Sequence, residues 1–507
     1  MKIHFAKVHS AQTTGLSARI VDVETDITKK TLHAFSIVGL PDKAVEEARD
    51  RVSSAIKHAG FKSPKSKNQK VVVSLAPASI KKEGPTFDVA IALSYLLANK
   101  DISFDPRGKI FVGELSLDGA VRSSRGVLIA ARDAKRAGYT ELFVPRENAE
   151  EAALIRGIAV FPVSTLRELI LHITGVSPIA RQKETDPRVF SSDAKETLID
   201  FADVRGQESA KRALEIAAAG GHNIAMWGPP GTGKTMLARA FSGILPPLSF
   251  EDIVEVTGIH SAAGVLSESA VIRAPFRSPH HTSSYVAIVG GGATPRPGEI
   301  TLAHRGVLFM DEFPEFDARV IESLRQPLED RIVTISRAKG TEVFPANIIL
   351  IAALNPCPCG NRASEKTCDC SQASLQKYAR KLSGPVMDRV DIWVSVGRVD
   401  TKRLSRDEKA EKSETVRARV KYAHDIQKHR HKKLNAALSA REISAAKWLA
   451  PEARATLEQA GEQDQISARA FHKLVKIART IADLDGRDAV SKNDVMEALQ
   501  FRQKIVF

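Results

Sequence analysis

Three short stretches of this sequence set chemistry-bearing residues at the ends of apolar runs. The first, "NIAMWGPPGTGKTMLARAF" (223–241), places Gly228-x-x-x-x-Gly233-Lys234-Thr235 between a strand-like run and a helix-like one. Glycines at such a turn let backbone N–H groups point inward around phosphate oxygens, and the helix that follows adds its positive end. Gly228, Pro229, Pro230, Gly231, Thr232 and Gly233 therefore form a candidate phosphate cradle. Lys234 is expected to reach the β and γ phosphates of a bound ATP, and the Thr235 hydroxyl to hold Mg²⁺. The second stretch, "GVLFMDEF" (306–313), is a buried strand ending in two carboxylates, seventy-seven positions beyond Lys234. Ligands of doubly wound sheets collect beyond the carboxyl ends of the strands, so Asp311 falls to the Mg²⁺ shell and Glu312 to orienting and polarising a water. The third, "NIILIAALN" (347–355), ends in Asn355, whose amide can sense the γ phosphate and the attacking water. Each group also has a plainer reading: a surface lysine in a glycine turn, two acids capping the next helix, and a turn-forming asparagine.

Directly behind Asn355 stand all four cysteines of the 507-residue chain, Cys357, Cys359, Cys368 and Cys370, as two C-x-C pairs with eight residues between them. Four thiolates suit a tetrahedral Zn²⁺ site, which would staple a loop too polar to pack by itself. Reduced structural thiols and a redox role are the other readings, and C-x-C is not the usual C-x-x-C knuckle. The adjacent His280 and His281 invite a metal reading too. Consecutive residues point different ways, however, and no second ligand pair is near, which favours loop structure or contact with a threaded strand.

These groups need a scaffold. The length suggests about three domains of roughly 100–250 residues each, and 43% hydrophobic with 26% charged content is globular, not disordered. Over the first 170 or so residues, "ARIVDVETDI" (18–27) and "KVVVSLAP" (70–77) favour strands through β-branched content, while Val45, Ala48, Val52 and Ile56 recur at helical steps. After Thr174 the polar, proline-containing "GVSPIARQKETDPRVFSSDAKETLID" reads as a linker. Alternating strands and helices then run to about residue 398, with an insertion rich in Gly, His and Pro from about 250 to 300. Beyond it the pattern is helical: a basic segment at 402–435, then amphipathic stretches at 442–460, 467–484 and 491–502.

Lys and Arg outnumber Asp and Glu by 74 to 60. From Lys402 to Lys433 alone there are twelve basic residues against five acidic ones, half of the surplus of 14. Such an excess favours polyanion partners, although a solvated helix face is the plain alternative for this run. No N-terminal segment pairs a basic start with an apolar stretch and a small-residue cleavage site, and the apolar runs are far short of the ~20 residues a membrane span needs. The expectation is a cytoplasmic protein with no membrane contact, in which thiols stay reduced.

The blocks "FADVRGQESAKRALEIAAAGGHNIAMWGPPGTGKTMLA", "FRSPHHTSSYVAIVGGGATPRPGEITLAHRGVLFMDE", "NPCPCG", "SGPVMDRVDI" and "SARAFHKLVKIARTIADLDG" occur in order. Together they resemble the AAA+ ATPases of the magnesium-chelatase-like branch represented by the bacterial ComM or YifB family, over nearly the whole chain. The resemblance implies an α/β fold class: a P-loop AAA+ core with a parallel sheet at 200–398, carrying a cysteine-rich insertion at 355–370, and a C-terminal helical lid domain at 399–507. It also gives Arg389, in "GPVMDRVD", the position of an arginine finger on a neighbour's nucleotide, and Arg469, in "SARA", that of the second sensor. From the residues alone, Arg389 could equally pair with Asp388 or Asp391. The blocks at 73–93 and 113–131 resemble the domain of Lon-type ATP-dependent proteases, implying an N-terminal α+β domain of the ribosomal S5/Lon-protease type at 1–174, joined by a linker at 175–199. Where that family needs Ser and Lys, this chain reads Thr86 and, near the lysine position, Leu128, so no base for proteolysis is evident.

The implied function is an ATP-driven homo-hexameric ring that translocates on branched or single-stranded DNA and promotes branch migration in recombination or natural transformation. The alternative is a chelatase-type motor that remodels a partner protein. A protease or its regulator is disfavoured by the missing lysine.

Overall fold

The structure, a computed structural model, describes residues 4–79, 81–186, 199–292, 295–337, 340–362, 367–382, 385–399, 410–445, 448–463 and 466–502. The chain divides into two compact units, one of Met1–Asp193 with Ser249–Ile272 and Ala293–Pro297, the other of Ala194–Leu248, Arg273–Gly292 and Gly298–Phe507.

In the first unit, β1 (Phe5–Thr14), β2 (Ser17–Lys29), β3 (Ala34–Val38) and β4 (Gln69–Ala76) form a sheet of order β1-β2-β4-β3. The β1/β2 and β2/β4 pairs are antiparallel, and β3/β4 is parallel. Alternation along β4 buries Val71, Val73 and Leu75 on one face, as a half-covered sheet requires. Helix α1 (Ala48–His58) buries Val52, Ala55 and Ile56, and α2 (Asp88–Asn99) is buried almost all round. A second sheet, three parallel strands, is built from β5 (Lys109–Phe111), β6 (Glu141–Pro145) and β7 (Ala159–Val163), with α3 (Val127–Arg136) and α4 (Leu166–Ile173) beside them in sequence.

One expectation changes here, and another gains detail. The linker reading from residue 175 gives way over its first part, because Gln182 N–H donates to Val160 O (2.8 Å) and Thr185 N–H to Ala153 O (3.1 Å). Polar composition does not reveal such backbone bonds; residues 187–198 lie outside those described. The insertion after 250 begins as regular structure: Phe250–Ala263 is a helix whose Ser249 side chain accepts from Asp252 N–H and whose Gly264 end is left-handed. The Ser-x-x-Asp cap and the spacing of Ile253, Val256 and Ile259 explain it.

In the second unit, α5 (Glu208–Gly220) leads into β8 (Ile224–Trp227) and α6 (Lys234–Ile244). Then come β9 (Phe276–Arg277), β10 (Val307–Met310), β11 (Ile349–Leu354), α7 (Gln372–Leu382) and β12 (Ile392–Ser395). The five strands are parallel in the order β9-β10-β11-β8-β12. The chain leaves β8 for the far edge and returns, so the carboxyl ends of β8, β10 and β11 share one crevice. Beyond β12 the described residues are mainly helical, including α8 (Ser413–His431), α9 (Pro451–Gln463), α10 (Ala468–Leu484) and α11 (Lys492–Gln500). One apolar core joins the strands (Ile224, Phe309, Ile351, Val394) to these helices (Val420, Leu457, Ile477, Val495). The stretch expected as one helix at 442–460 is broken, with Pro451 opening α9, the position a proline favours.

Candidate active site

Register brings the sequence-predicted residues together. β8 and β11 pair Trp227 with Leu354, and Gly228 N–H donates to Leu354 O (3.1 Å), so the phosphate loop starts beside Asn355. A Cβ on Gly228 would stand 2.0 Å from Val396 O, which only glycine avoids. Gly231 (φ +76°) and Gly233 (φ +90°) take the left-handed turn that delivers the chain to the start of α6.

Lys234 is buried, and its Nζ donates to Gly228 O (2.7 Å), Pro229 O (2.9 Å) and Asn355 Oδ1 (3.2 Å). Burial pulls this ammonium below the ordinary lysine range, opposed by the charges of Asp311 and Glu312. Thr235 Oγ1 donates to Asp311 Oδ2 (2.8 Å), bringing two hard oxygen donors to one spot, the donor type that Mg²⁺ takes. Asp311 Oδ1 accepts from the N–H of Glu312, whose backbone is left-handed (φ 49°).

Glu312 has a partner that sequence reasoning missed. His281 Nδ1 lies 3.2 Å from Glu312 Oε2, and the His280 ring packs on His281 at 4.2 Å. The pair stands thirty-one positions apart in sequence (312 minus 281), and only the fold joins them. Among the described residues, the one grouping with metal-ligand geometry is the cysteines, not these histidines. Two further supports carry no sequence signal. Tyr378 of α7 donates to Asn355 O (2.8 Å), and Gln207, itself left-handed (φ 62°), donates to Thr232 O (3.3 Å) and Gly397 O (2.6 Å).

Arg389 and Arg469 form a separate cluster. Both guanidinium groups pair with Glu329, Arg469 Nη2 at 3.2 Å, and Arg389 also donates to Pro385 O. The Arg389 side chain is buried, and its Nε has no hydrogen-bond partner among the described residues. Neither Asp388 nor Asp391 is its partner; Asp391 instead faces His222. Arg389 O accepts from Asn223 Nδ2 (3.0 Å), the residue just before β8, so this cluster sits at the amino ends of the strands. A cavity of about 310 Å³ there is lined by Arg331, Arg389, Arg469, His472, Lys473 and Lys476 among others. Burial pushes the Lys473 and Lys476 ammonium groups down. The phosphate loop begins at the opposite, carboxyl ends, about 13 Å away along four residues of β8, beyond the reach of one side chain.

The four thiols lie within 4.8 Å of one another, with Cys357 buried and Cys359 exposed. The basic run is less free than its composition implied. Arg417 donates to Gly243 O, Arg419 pairs with Glu215 and Glu411, Arg430 with Asp483, and Lys433 with Glu442. Lys412, Lys421, Lys428 and Lys432 are exposed, and 402–409 lie outside the described residues.

A parallel sheet with a phosphate loop at its switch point and an all-helical region behind it is the fold of an AAA+ protein. Residues 200–404 match the family described as magnesium chelatase, subunit ChlI; residues 23–148 match subunit ChlI of Mg-chelatase, and 410–502 the ChlI C-terminal family. YifB of Salmonella typhimurium is 40% identical over 98% of this chain and 97% of its own length. Competence protein ComM of Haemophilus influenzae is 38% identical over 99% of this chain and 98% of its own. The magnesium-chelatase 67 kDa subunit of Chlorobaculum tepidum is 27% identical over 165 residues, 31% of this chain and 24% of its own. The chain belongs to the ComM/YifB family of magnesium-chelatase-like AAA+ proteins. No helix among the described residues is long and apolar enough to cross a membrane.

Proposed function

We propose that this protein is an ATP-hydrolysing motor that works as a homo-oligomeric ring, a hexamer by family resemblance, and moves on DNA to promote branch migration. In this reading Lys234 neutralises the β and γ phosphates, Asn355 senses the γ phosphate through the amide already turned to Lys234, and Glu312, steadied by His281, orients the attacking water. Mg²⁺, held by Thr235 and Asp311, supplies charge neutralisation when bound.

The observation that carries the ring is the place of Arg389. It stands at the amino ends of the strands, opposite its own phosphate loop, buried, with an Nε that has no partner among the described residues and with Arg469 beside it on Glu329. Two arginines so placed have no use for the nucleotide of their own chain. A neighbour's γ phosphate presented to this end would offer both a further acceptor beside Glu329, and such a contact is worth about 10³ or more in rate.

DNA as the substrate rests on the excess of 14 positive charges and on kinship with a protein named for competence. The structural duties of Arg417, Arg419 and Arg430 narrow the candidate phosphate contacts on α8 to its exposed lysines. The first unit serves as a structural or nucleic-acid-facing platform of the S5/Lon type; Leu128 is part of its buried interior. A motor acting on a partner protein is the second reading, favoured by the ChlI-type match across 200–404. ATP hydrolysis measured with branched DNA, single-stranded DNA and no DNA separates the two. Stimulation by DNA that fades steeply with salt is expected; identical rates in all three would end the DNA reading.

A further inference from the structure

The four sulfurs have the spacing of a metal site. Cys357 Sγ lies 3.3 Å from Cys359 Sγ and 3.7 Å from Cys368 Sγ, and Cys359 Sγ lies 3.7 Å from Cys368 Sγ. A tetrahedron with metal–sulfur bonds of about 2.3 Å has edges of about 3.8 Å. A disulfide needs about 2.05 Å, so these are separate thiols gathered around a point. Arg362 N–H also donates to Cys357 Sγ (3.3 Å), the kind of outer contact that steadies a thiolate ligand.

The surroundings of the cluster are as telling as its sulfurs. Cys357 follows Asn355 by two residues. Gly360, left-handed at φ +77°, abuts the phosphate loop so closely that a Cβ there would stand 2.6 Å from Pro230 Cγ. The helix after the cluster returns to the site twice: Tyr378 bonds Asn355 O, and Lys381 bonds Pro314 O in the turn after Glu312. Gly360, Tyr378 and Lys381 thus reach the glycine loop after β8, Asn355 after β11 and the turn after β10.

We propose that Cys357, Cys359, Cys368 and Cys370 bind one Zn²⁺ as four thiolates, and that the metal sets the geometry of the nucleotide site by pinning Asn355 and Pro230. Gly360 is held near Pro230 by a short turn of its own, its N–H donating to Cys357 O (2.9 Å), and a metal on the four thiolates would tie that turn to Cys368 and Cys370. The second half of the proposal rests on the reading of Lys234 and Asn355 as nucleotide contacts; the first half does not.

The test begins with the full chain purified under reducing conditions, its metal content read by elemental analysis. One zinc per chain is expected, lost in Cys359→Ser and on treatment with a strong chelator. Fluorescent ATP-analogue binding, without DNA, should weaken about five- to tenfold in the stripped protein, the equivalent of one or two hydrogen bonds, and recover when zinc is added back. Gly360→Ala leaves every ligand in place and should keep its zinc while showing the same weakened binding. A reduced chain that holds no stoichiometric metal and takes up none would overturn the site. Stripped protein with unaltered analogue affinity would overturn the coupling. If Lys234→Ala also binds the analogue normally, the fault lies with the nucleotide reading instead.

Discussion

Replacing Arg389 by lysine keeps a positive charge but removes the planar fork, and the structure sets how much stability this should cost. One hydrogen bond, to Pro385 O, is lost outright, at about 1 kcal/mol. The pair with Glu329 is weakened, not abolished: that carboxylate is 43% exposed and keeps Arg469, so its share is at most about 1 kcal/mol. A total of about 2 kcal/mol is small beside the 5–15 kcal/mol typical of a folded unit. Arg389→Lys should therefore fold and melt only a few degrees lower. If Arg389 serves a neighbour's γ phosphate, hydrolysis should fall by about 10³ at protein concentrations where the ring is assembled, because an ammonium cannot replace the guanidinium at a bidentate contact. The assay is steady-state ATP hydrolysis beside a thermal melt and a light-scattering check of assembly. Hydrolysis within a few fold of the parent, with the expected small loss of stability, would mean that Arg389 is only a structural partner of Glu329.

His281→Ala should lower single-turnover hydrolysis by about five- to tenfold, the value of one lost contact to Glu312, with nucleotide affinity unchanged; a matching loss of affinity would place the effect on binding instead. Gly228→Ala forces a Cβ against Val396 O and should destabilise by about 1–3 kcal/mol, while Gly231→Ala meets no atom within 4 Å and should cost only the strain of its left-handed backbone, about 1–2 kcal/mol. Urea midpoints rank the two, and an unchanged midpoint in Gly228→Ala would contradict the close approach. Burial holds His424 down to about 4, its ring beside Ala218 O at 2.9 Å, so it is neutral in the fold and takes up a proton on unfolding below about 6.5. Its contribution is complete above that pH and lost as pH falls toward 4, up to roughly 3 kcal/mol. Urea midpoints of the parent and His424→Gln should converge over this window, and parallel curves would rule the histidine out.

What the sequence made legible was local. Gly228 to Thr235, Asp311, Glu312 and Asn355 each close an apolar run, and three strand ends of a parallel sheet can only meet in one crevice. The contacts that complete the site are between distant positions. His281 reaches Glu312 and Tyr378 reaches Asn355 across a loop and a helix, and Glu329 gathers two arginines 80 residues apart in the chain (469 minus 389). No periodicity encodes such pairings. Composition misled where it stood in for geometry: the charge excess of 402–433 counts arginines that hold helices together, and the polar stretch after Thr174 hides backbone bonds to β7 and Ala153.

Mixing two inactive variants tests the central claim. Lys234→Ala subunits cannot grip nucleotide, and Arg389→Ala subunits cannot serve a neighbour. Alone, each should be nearly silent. Combined in equal amounts and allowed to exchange, they should regain hydrolysis, because an intact Lys234 site then meets an intact Arg389 at roughly a quarter of the interfaces of a head-to-tail ring. Recovery toward that fraction is the predicted result. A mixture as silent as its parts, with exchange verified, would contradict the claim that each active site is completed by the adjacent chain.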